Sequence, residues 1–329
     1  MNIDENILTA TIIIPARNAA ATLATCLQAC QQQDGIDRAT YEIIVVDDGS
    51  VDDTAQIAEQ AGADKVLRHP QSQGAAAARN SGLNEACGEL IFFTDADCTP
   101  TSTWLAAMQT SFADPELIGC KGIYATKQKE LVARFVQLEY EDKYDKLRPQ
   151  PTIDFIDTYS AAYRREVLLQ NEGFDTRIFY VEDQELSFRL AAQNCKMIFV
   201  PEAVVYHLHS HTLRGYARKK FFIGYWKVEI MRLYPKRVVK DSHTPQVLKV
   251  QMVLVSLMLM SVIAAFIYPV FWMGILGSLL CFFLTTLPFA VKAWKKDKAV
   301  ALASPFLLWV RATALGFGYA AGSESRKVK

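Results

Sequence analysis

Residues 250–291 contain no charged side chain. At about 1.5 Å per residue the run makes roughly 63 Å of helix, about twice a 30 Å hydrocarbon core. A pair of buried soluble helices is the alternative, but soluble cores rarely need so long an uncharged run. The feature therefore predicts two transmembrane helices. Pro269 stands near the middle and marks the break, giving helices over about 250–268 and 271–291. Lys292, Lys295, Lys296 and Lys298 follow the second helix, and Lys236, Arg237, Lys240 and Lys249 precede the first. Both basic flanks lie on one side, which the positive-inside rule makes cytosolic. The opening MNIDENILTA has neither a basic start nor an apolar core of a signal peptide, in keeping with that orientation. The expectation is a multi-pass protein of the cytoplasmic membrane whose first domain faces the cytosol.

A third stretch, 299–322, carries Pro305 and a central Arg311. An Arg at mid-bilayer costs about 2.5–3.5 kcal/mol on insertion scales, so this stretch either spans or lies at the interface. Segment 212–234 places Phe222, Trp226, Ile230 and Leu233 at helical spacing among Arg214, Arg218, Lys219, Lys220, Lys227 and Arg232. That pattern suits an amphipathic helix on an anionic membrane surface, with an ordinary core helix as the alternative. The organisation read from sequence is a first domain over 1–211, an amphipathic helix and linker over 212–248, and a membrane region with a short basic tail over 249–329.

The remaining composition excludes several classes. Lys+Arg and Asp+Glu both total 35, so nothing draws the chain to nucleic acid. Seven cysteines without a C-x-x-C pair fit a reducing compartment better than a disulfide framework or structural zinc site.

The first two hundred residues alternate strand and helix signals. Strands are predicted near 11–14, 41–46, 64–67 and 90–94, with helices near 19–33, 52–61, 75–86 and 102–112. Three strands end in polar groups: Pro15-Ala16-Arg17, Asp47-Asp48 and Asp95-Ala96-Asp97. In open α/β sheets ligands bind beyond the carboxyl ends of strands, so these groups should meet at one crevice. Aspartates there can accept from a base and a ribose, while Arg17 and Arg79 can face phosphate or base. No G-x-G-x-x-G follows the first strand and no P-loop occurs, which removes the main support for a dehydrogenase or a P-loop nucleotidase. A D-x-D pair after the apolar run Ile91-Phe92-Phe93 can hold a hard divalent cation against a diphosphate.

The ordered series TIIIPARN, IIVVDDGSVDDT, GAAAARNSGL and IFFTDADC resembles the inverting family 2 glycosyltransferases. YSAAYRR over 159–165, Gly173-Phe174-Asp175 and EDQELSFRL over 182–190 continue the match. The resemblance covers about 10–211. It implies the GT-A (nucleotide-diphospho-sugar transferase) fold, α/β with a mostly parallel sheet flanked by helices, here followed by C-terminal transmembrane helices.

The resemblance implies roles residue by residue. Pro15, Ala16, Arg17, Asp47 and Asp48 would hold the nucleotide base, Arg79 the base or phosphate, and Asp95 the ribose. Asp97 would bind a divalent metal, Mg2+ or Mn2+, that bridges the diphosphate. Asp183 would be the catalytic base toward an acceptor hydroxyl; acids also favour a first helical turn, so Glu182-Asp183 can also be read as a cap, a role compatible with catalysis. The alternation His207, His209, His211 looks like a zinc site by spacing. The family comparison narrows it to His207 completing the donor metal site, with His209 and His211 unassigned.

Two departures shape the expected reaction. The Q-x-x-R-W or R-x-x-R-W motif of processive synthases is absent, since the region reads Arg214-Gly215-Tyr216-Ala217-Arg218-Lys219, with no Trp in place. That favours transfer of one sugar. The Glu182-Asp183 pair favours a hydroxyl acceptor, lipid-linked or saccharide, over the ionised phosphate used by polyprenyl-phosphate glycosyl- and mannosyltransferases. A UDP-sugar is the favoured donor, and membrane lipid is an expected partner. An inactive membrane scaffold would leave the Asp95-x-Asp97 and Glu182-Asp183 pairs idle, and a nucleotide-sensing transporter subunit would have only two or three spans with Arg311 as their one ionisable residue.

Overall fold

The computed structural model describes residues 8–235 and 245–324. Lys236, Arg237, Lys240, the basic tail 325–329 and the first seven residues lie outside the described residues. The chain forms two units: Met1–Lys127 with Tyr144–Leu208, and Gln128–Lys143 with His209–Lys329.

In chain order the strands are β1 (Ala10–Ala16), β2 (Tyr41–Asp47), β3 (Lys65–Arg68), β4 (Leu90–Phe93), β5 (Cys98–Pro100), β6 (Leu117–Ala125), β7 (Ala161–Arg164) and β8 (Lys196–His207). The helices are α1 (Leu23–Gln31), α2 (Thr54–Gln60), α3 (Ala75–Glu85), α4 (Trp104–Ser111), α5 (Leu131–Leu147), α6 (Arg165–Gln170), α7 (Glu182–Ala192), α8 (Leu213–Leu233), α9 (Gln246–Ala265), α10 (Phe271–Trp294) and α11 (Lys298–Glu324).

The first unit carries one eight-stranded sheet in the order β3-β2-β1-β4-β7-β6-β8-β5. Pairing is parallel from β3 to β4, as the strand and helix alternation predicts. Beyond β4 the sheet becomes mixed: β7 runs antiparallel to β4 and β6, β8 parallel to β6, and β5 antiparallel to β8. β2 is buried at every position and β1 at all but one. Their central residues, 12–14 and 43–46, are apolar on both faces, as expected of strands in a parallel sheet covered on both sides.

The second unit is helical. Thr212 opens α8, its Oγ1 accepting the Gly215 N–H at 3.2 Å. α9, α10 and α11 are long and apolar enough to cross a membrane, with mean hydropathies of 2.2, 2.0 and 1.5. The break between α9 and α10 falls at the turn containing Pro269. α11 differs from the other two in being more covered by its own unit. A Cβ on Gly318 would lie 2.1 Å from the Phe221 carbonyl oxygen, and one on Gly322 2.3 Å from that of Tyr225. The G-x-x-x-G spacing thus lets α8 and α11 meet backbone to backbone. Arg311 points into the unit, where Nη1 donates to Glu139 Oε1 at 2.7 Å and Nη2 to Gln251 Oε1 at 2.8 Å. The charge that makes 299–322 look awkward in lipid is therefore turned into the unit, where it has polar partners.

Candidate active site

β1 and β2 end side by side, with Pro15 opposite Val46 and Ala16 opposite Asp47. The Asp48 N–H donates to the Ala16 carbonyl at 2.8 Å and extends the pairing into the loop. Beyond the strands the two loops are laced together. Asn18 accepts from the Val51 N–H at 3.0 Å, Ser50 Oγ from the Asn18 N–H at 2.9 Å, and Asp52 from the Ala20 N–H at 3.2 Å. Asp47 accepts the Ser50 N–H at 3.1 Å, and Arg17 stands exposed. The structure thus brings Pro15, Ala16, Arg17, Asp47 and Asp48 to one end of the sheet.

Asp48 is already heavily engaged. Its carboxylate accepts from Ser72 Oγ at 2.7 Å and from the Gln73 and Gly74 N–H groups at 2.8 and 2.9 Å, and lies 2.7 Å from His69 Nδ1. Burial alone would raise its pKa, but these partners together hold it below the ordinary carboxylate value. Asp48 therefore pins residues 69–74 and sets where α3 begins. Gly74 caps α3 at φ 95°, a backbone conformation that favours glycine, and a Cβ there would lie 2.8 Å from the Phe179 ring, which would have to move.

From α3, Arg79 projects into the interior and is 4% exposed. Nη1 donates to Glu182 Oε1 at 2.7 Å and Nη2 to Asp95 Oδ1 at 3.1 Å. Burial opposes its charge, but Asp95 and Glu182 outweigh burial and hold the guanidinium above its usual value. Arg79 is thus a brace between the end of β4 and the start of α7.

Asp97 and His207 meet because of strand register. β5 pairs with β8 so that Cys98 stands opposite His207. His207 Nε2 lies 3.4 Å from Asp97 Oδ2, and its ring stacks on Tyr124 at 4.3 Å. One ligand atom each from Asp97, Cys98 and His207 lie within 4.8 Å of one another. Burial, then Asp95 and Asp97, push the Cys98 thiol well up, so it stays protonated and is a poor ligand for a hard cation. The carboxylate oxygen and imidazole nitrogen that remain fit a divalent ion such as Mn2+.

Three acids open α7. Glu182 is held by Arg79, and Glu185 by Arg189 at 2.8 Å. Asp183 differs: its carboxylate accepts the Gln184 N–H at 2.8 Å, and among the described residues no cation pairs with it. Burial, reinforced by Glu182 and Asp157, raises its pKa well above the carboxylate range, with Arg79 opposing. Asp157 is itself paired with Lys121 of β6. The sequence reading missed Asp157, Lys121, and the exposed Phe179 and Tyr180 just before α7. Tyr180, at φ 70°, is one signal invisible to periodicity.

A mixed sheet whose strand ends gather acids around one edge, with a carboxylate and histidine pair across β5 and β8, defines a GT-A-type nucleotide-sugar transferase fold. Residues 11–170 match the family model of Glycosyl transferase family 2, and this segment of the chain belongs to that family. The Pre-mycofactocin glycosyltransferase of Mycobacterium tuberculosis is 29% identical over 223 residues, covering 65% of this chain and 46% of that protein. The 4,4'-diaponeurosporenoate glycosyltransferase of Staphylococcus aureus is 31% identical over 131 residues, covering 39% and 33%. The chain thus spans less than half the length of either relative. Among solved structures, Mannosyltransferase PcManGT from Pyrobaculum calidifontis, in complex with GDP-Man and Mn2+, superposes with a TM-score of 0.62 at 21% identity, over 96% of this chain and 87% of that one.

Proposed function

We propose that this protein is a membrane-attached, inverting glycosyltransferase that moves one sugar from a nucleotide-diphospho-sugar to a hydroxyl of a lipid-linked or saccharide acceptor. The observation that carries the reading is the sorting of the three acids at α7. Two are neutralised by arginines, while Asp183 has no cationic partner among the described residues and has raised proton affinity. A general base needs that combination: a carboxylate able to take a proton, held near its task by neighbours that do not compete for it.

The nucleotide lies across the ends of β1 and β2, against Pro15, Ala16, Arg17 and Asp47, in the loop geometry that Asp48 fixes. Asp95 faces the ribose and is steadied by Arg79. Asp97 and His207 would hold the divalent cation, which when bound offsets charge on the diphosphate leaving group. The donors of this pair favour Mn2+ over Mg2+, because Mg2+ prefers an all-oxygen shell. The PcManGT complex with GDP-Man and Mn2+ supports both the donor class and a divalent ion. Asp183 accepts the acceptor proton as the hydroxyl oxygen forms its bond to the anomeric carbon. The bond from that carbon to the diphosphate breaks in the same step, so configuration inverts. UDP-sugars remain the favoured donors. The basic residues flanking α9 and α10 favour a cytosolic position for the first unit.

Asp183→Asn tests the reading. It keeps the size and the Gln184 hydrogen bond but removes the proton acceptor. General-base catalysis is worth about 10²–10⁴-fold, so turnover should fall at least that far while nucleotide affinity stays close to the parent's. If Asp183 were only a helix cap, Asn would serve about as well, and near-parent turnover would rule it out as base. The pH profile adds a second readout. A carboxylate with a raised pKa is an active base only above that value, so the parent's kcat/KM should climb with pH through it.

A further inference from the structure

The second unit buries a charge cluster that sugar transfer does not use. Glu139 of α5 accepts from Arg311 Nη1 at 2.7 Å and from the Tyr216 hydroxyl at 3.0 Å, and lies 3.3 Å from Lys220 Nζ. Arg311 reaches Gln251 with its other terminal nitrogen. Two cations therefore face one carboxylate. Burial would raise the Glu139 pKa, but Lys220 and Arg311 bring it down to about 2, so the acid is ionised; burial in turn lowers the Lys220 pKa, with Glu139 opposing and Arg311 adding to the fall. Asp142, Asp297 and Glu229 have cations of their own, Lys292, Arg134 and Arg232, and do not offset the surplus. Arg311 is 7% exposed, and its Nε is buried with no hydrogen-bond partner among the described residues.

We propose that this cluster is a binding site for the phosphate of an anionic membrane lipid. A buried surplus positive charge is costly unless an anion completes it. The orphaned Nε–H is a donor awaiting an acceptor, and the Lys220 side chain, 20% exposed, gives an anion a way in. Phosphate suits a paired arginine and lysine because it offers several oxygens at once. The source is a lipid because Gln251 and Arg311 sit on helices long and apolar enough to cross a bilayer, which puts acyl chains beside the headgroup. The site is a property of the second unit and stands whether or not the first unit transfers sugar.

Native mass spectrometry of the full-length protein in detergent, with dioleoyl phosphatidic acid or dioleoyl phosphatidylcholine added, tests this. The parent should retain one phosphatidic acid in preference to phosphatidylcholine. Lys220→Gln should weaken that retention by about tenfold, the scale of one charge-assisted hydrogen bond, and Lys220→Arg should keep most of it. Arg214→Gln removes the same charge from an exposed position of the same helix and should change retention by less than about twofold. Equal losses in Lys220→Gln and Arg214→Gln would mean diffuse attraction and overturn the site. So would equal retention of the two lipids. Displacement of phosphatidic acid by submillimolar inorganic phosphate would overturn the lipid source and leave a soluble phosphate ion as the ligand.

Discussion

At the scale of single residues, the motifs combine positioning and chemistry in ways that their letters do not separate. Asp47 and Asp48 are neighbours, yet Asp48 is bound by four groups of the 69–74 loop while Asp47 takes one backbone N–H. Losing the Asp48 carboxylate would leave buried donors unmet, so Asp48→Ala should cost about 2–3 kcal/mol. The effect should depend on pH. Because the folded carboxyl is held below its unfolded value, its stabilisation is complete above the unfolded pKa and fades as pH falls through the folded one. The difference in thermal unfolding between parent and variant should be largest at neutral pH and shrink in acid; a constant difference would contradict this origin. Sequence reasoning grouped Asp48 with nucleotide binding because strand-end aspartates share a crevice, and it had no means of seeing His69 and Ser72 arrive from further along. Asp97 with His207 was legible through resemblance, but its physical cause was not. A three-residue strand, β5, sets their register, and so short a strand leaves no periodic trace.

At the scale of elements, long patterns were readable and close contacts were not. The first four strands, their helices and the paired apolar helices all follow from periodicity and charge. α8 was readable as amphipathic, but its partner was hidden, since glycines in an apolar run signal close packing only once the facing backbone is known. Gly318→Val tests that contact. Its Cβ would meet the Phe221 carbonyl at 2.1 Å, and backbone cannot swing aside as a side chain can. Overpacking of this kind typically costs about 1–3 kcal/mol, so the variant should unfold earlier in detergent. Gly316→Ala, where a Cβ meets nothing within 4 Å, should unfold with the parent or slightly later. Equal behaviour of the two variants would contradict a glycine-mediated approach of α8 to α11.

At the scale of the whole molecule, a family 2 domain and three apolar helices share one chain, and the proposal is that sugar transfer takes place at a membrane. Sidedness can be tested directly. In a cysteine-free background, a single Cys at position 295 should resist a membrane-impermeant maleimide in intact cells and react after permeabilisation; labelling of intact cells would reverse the topology. The reaction itself leaves a stereochemical record. Each feature assigned to catalysis, from Asp183 to the leaving diphosphate at Asp97 and His207, belongs to one in-line displacement. The full-length protein should be given the nucleotide sugar that it turns over, with Mn2+ and a hydroxyl acceptor, and the anomeric proton coupling of the first product read by NMR. The expected result is a glycosidic bond of configuration opposite to the donor's, formed by the parent and lost in Asp183→Asn; a product that retains the donor's configuration would contradict the single-displacement mechanism.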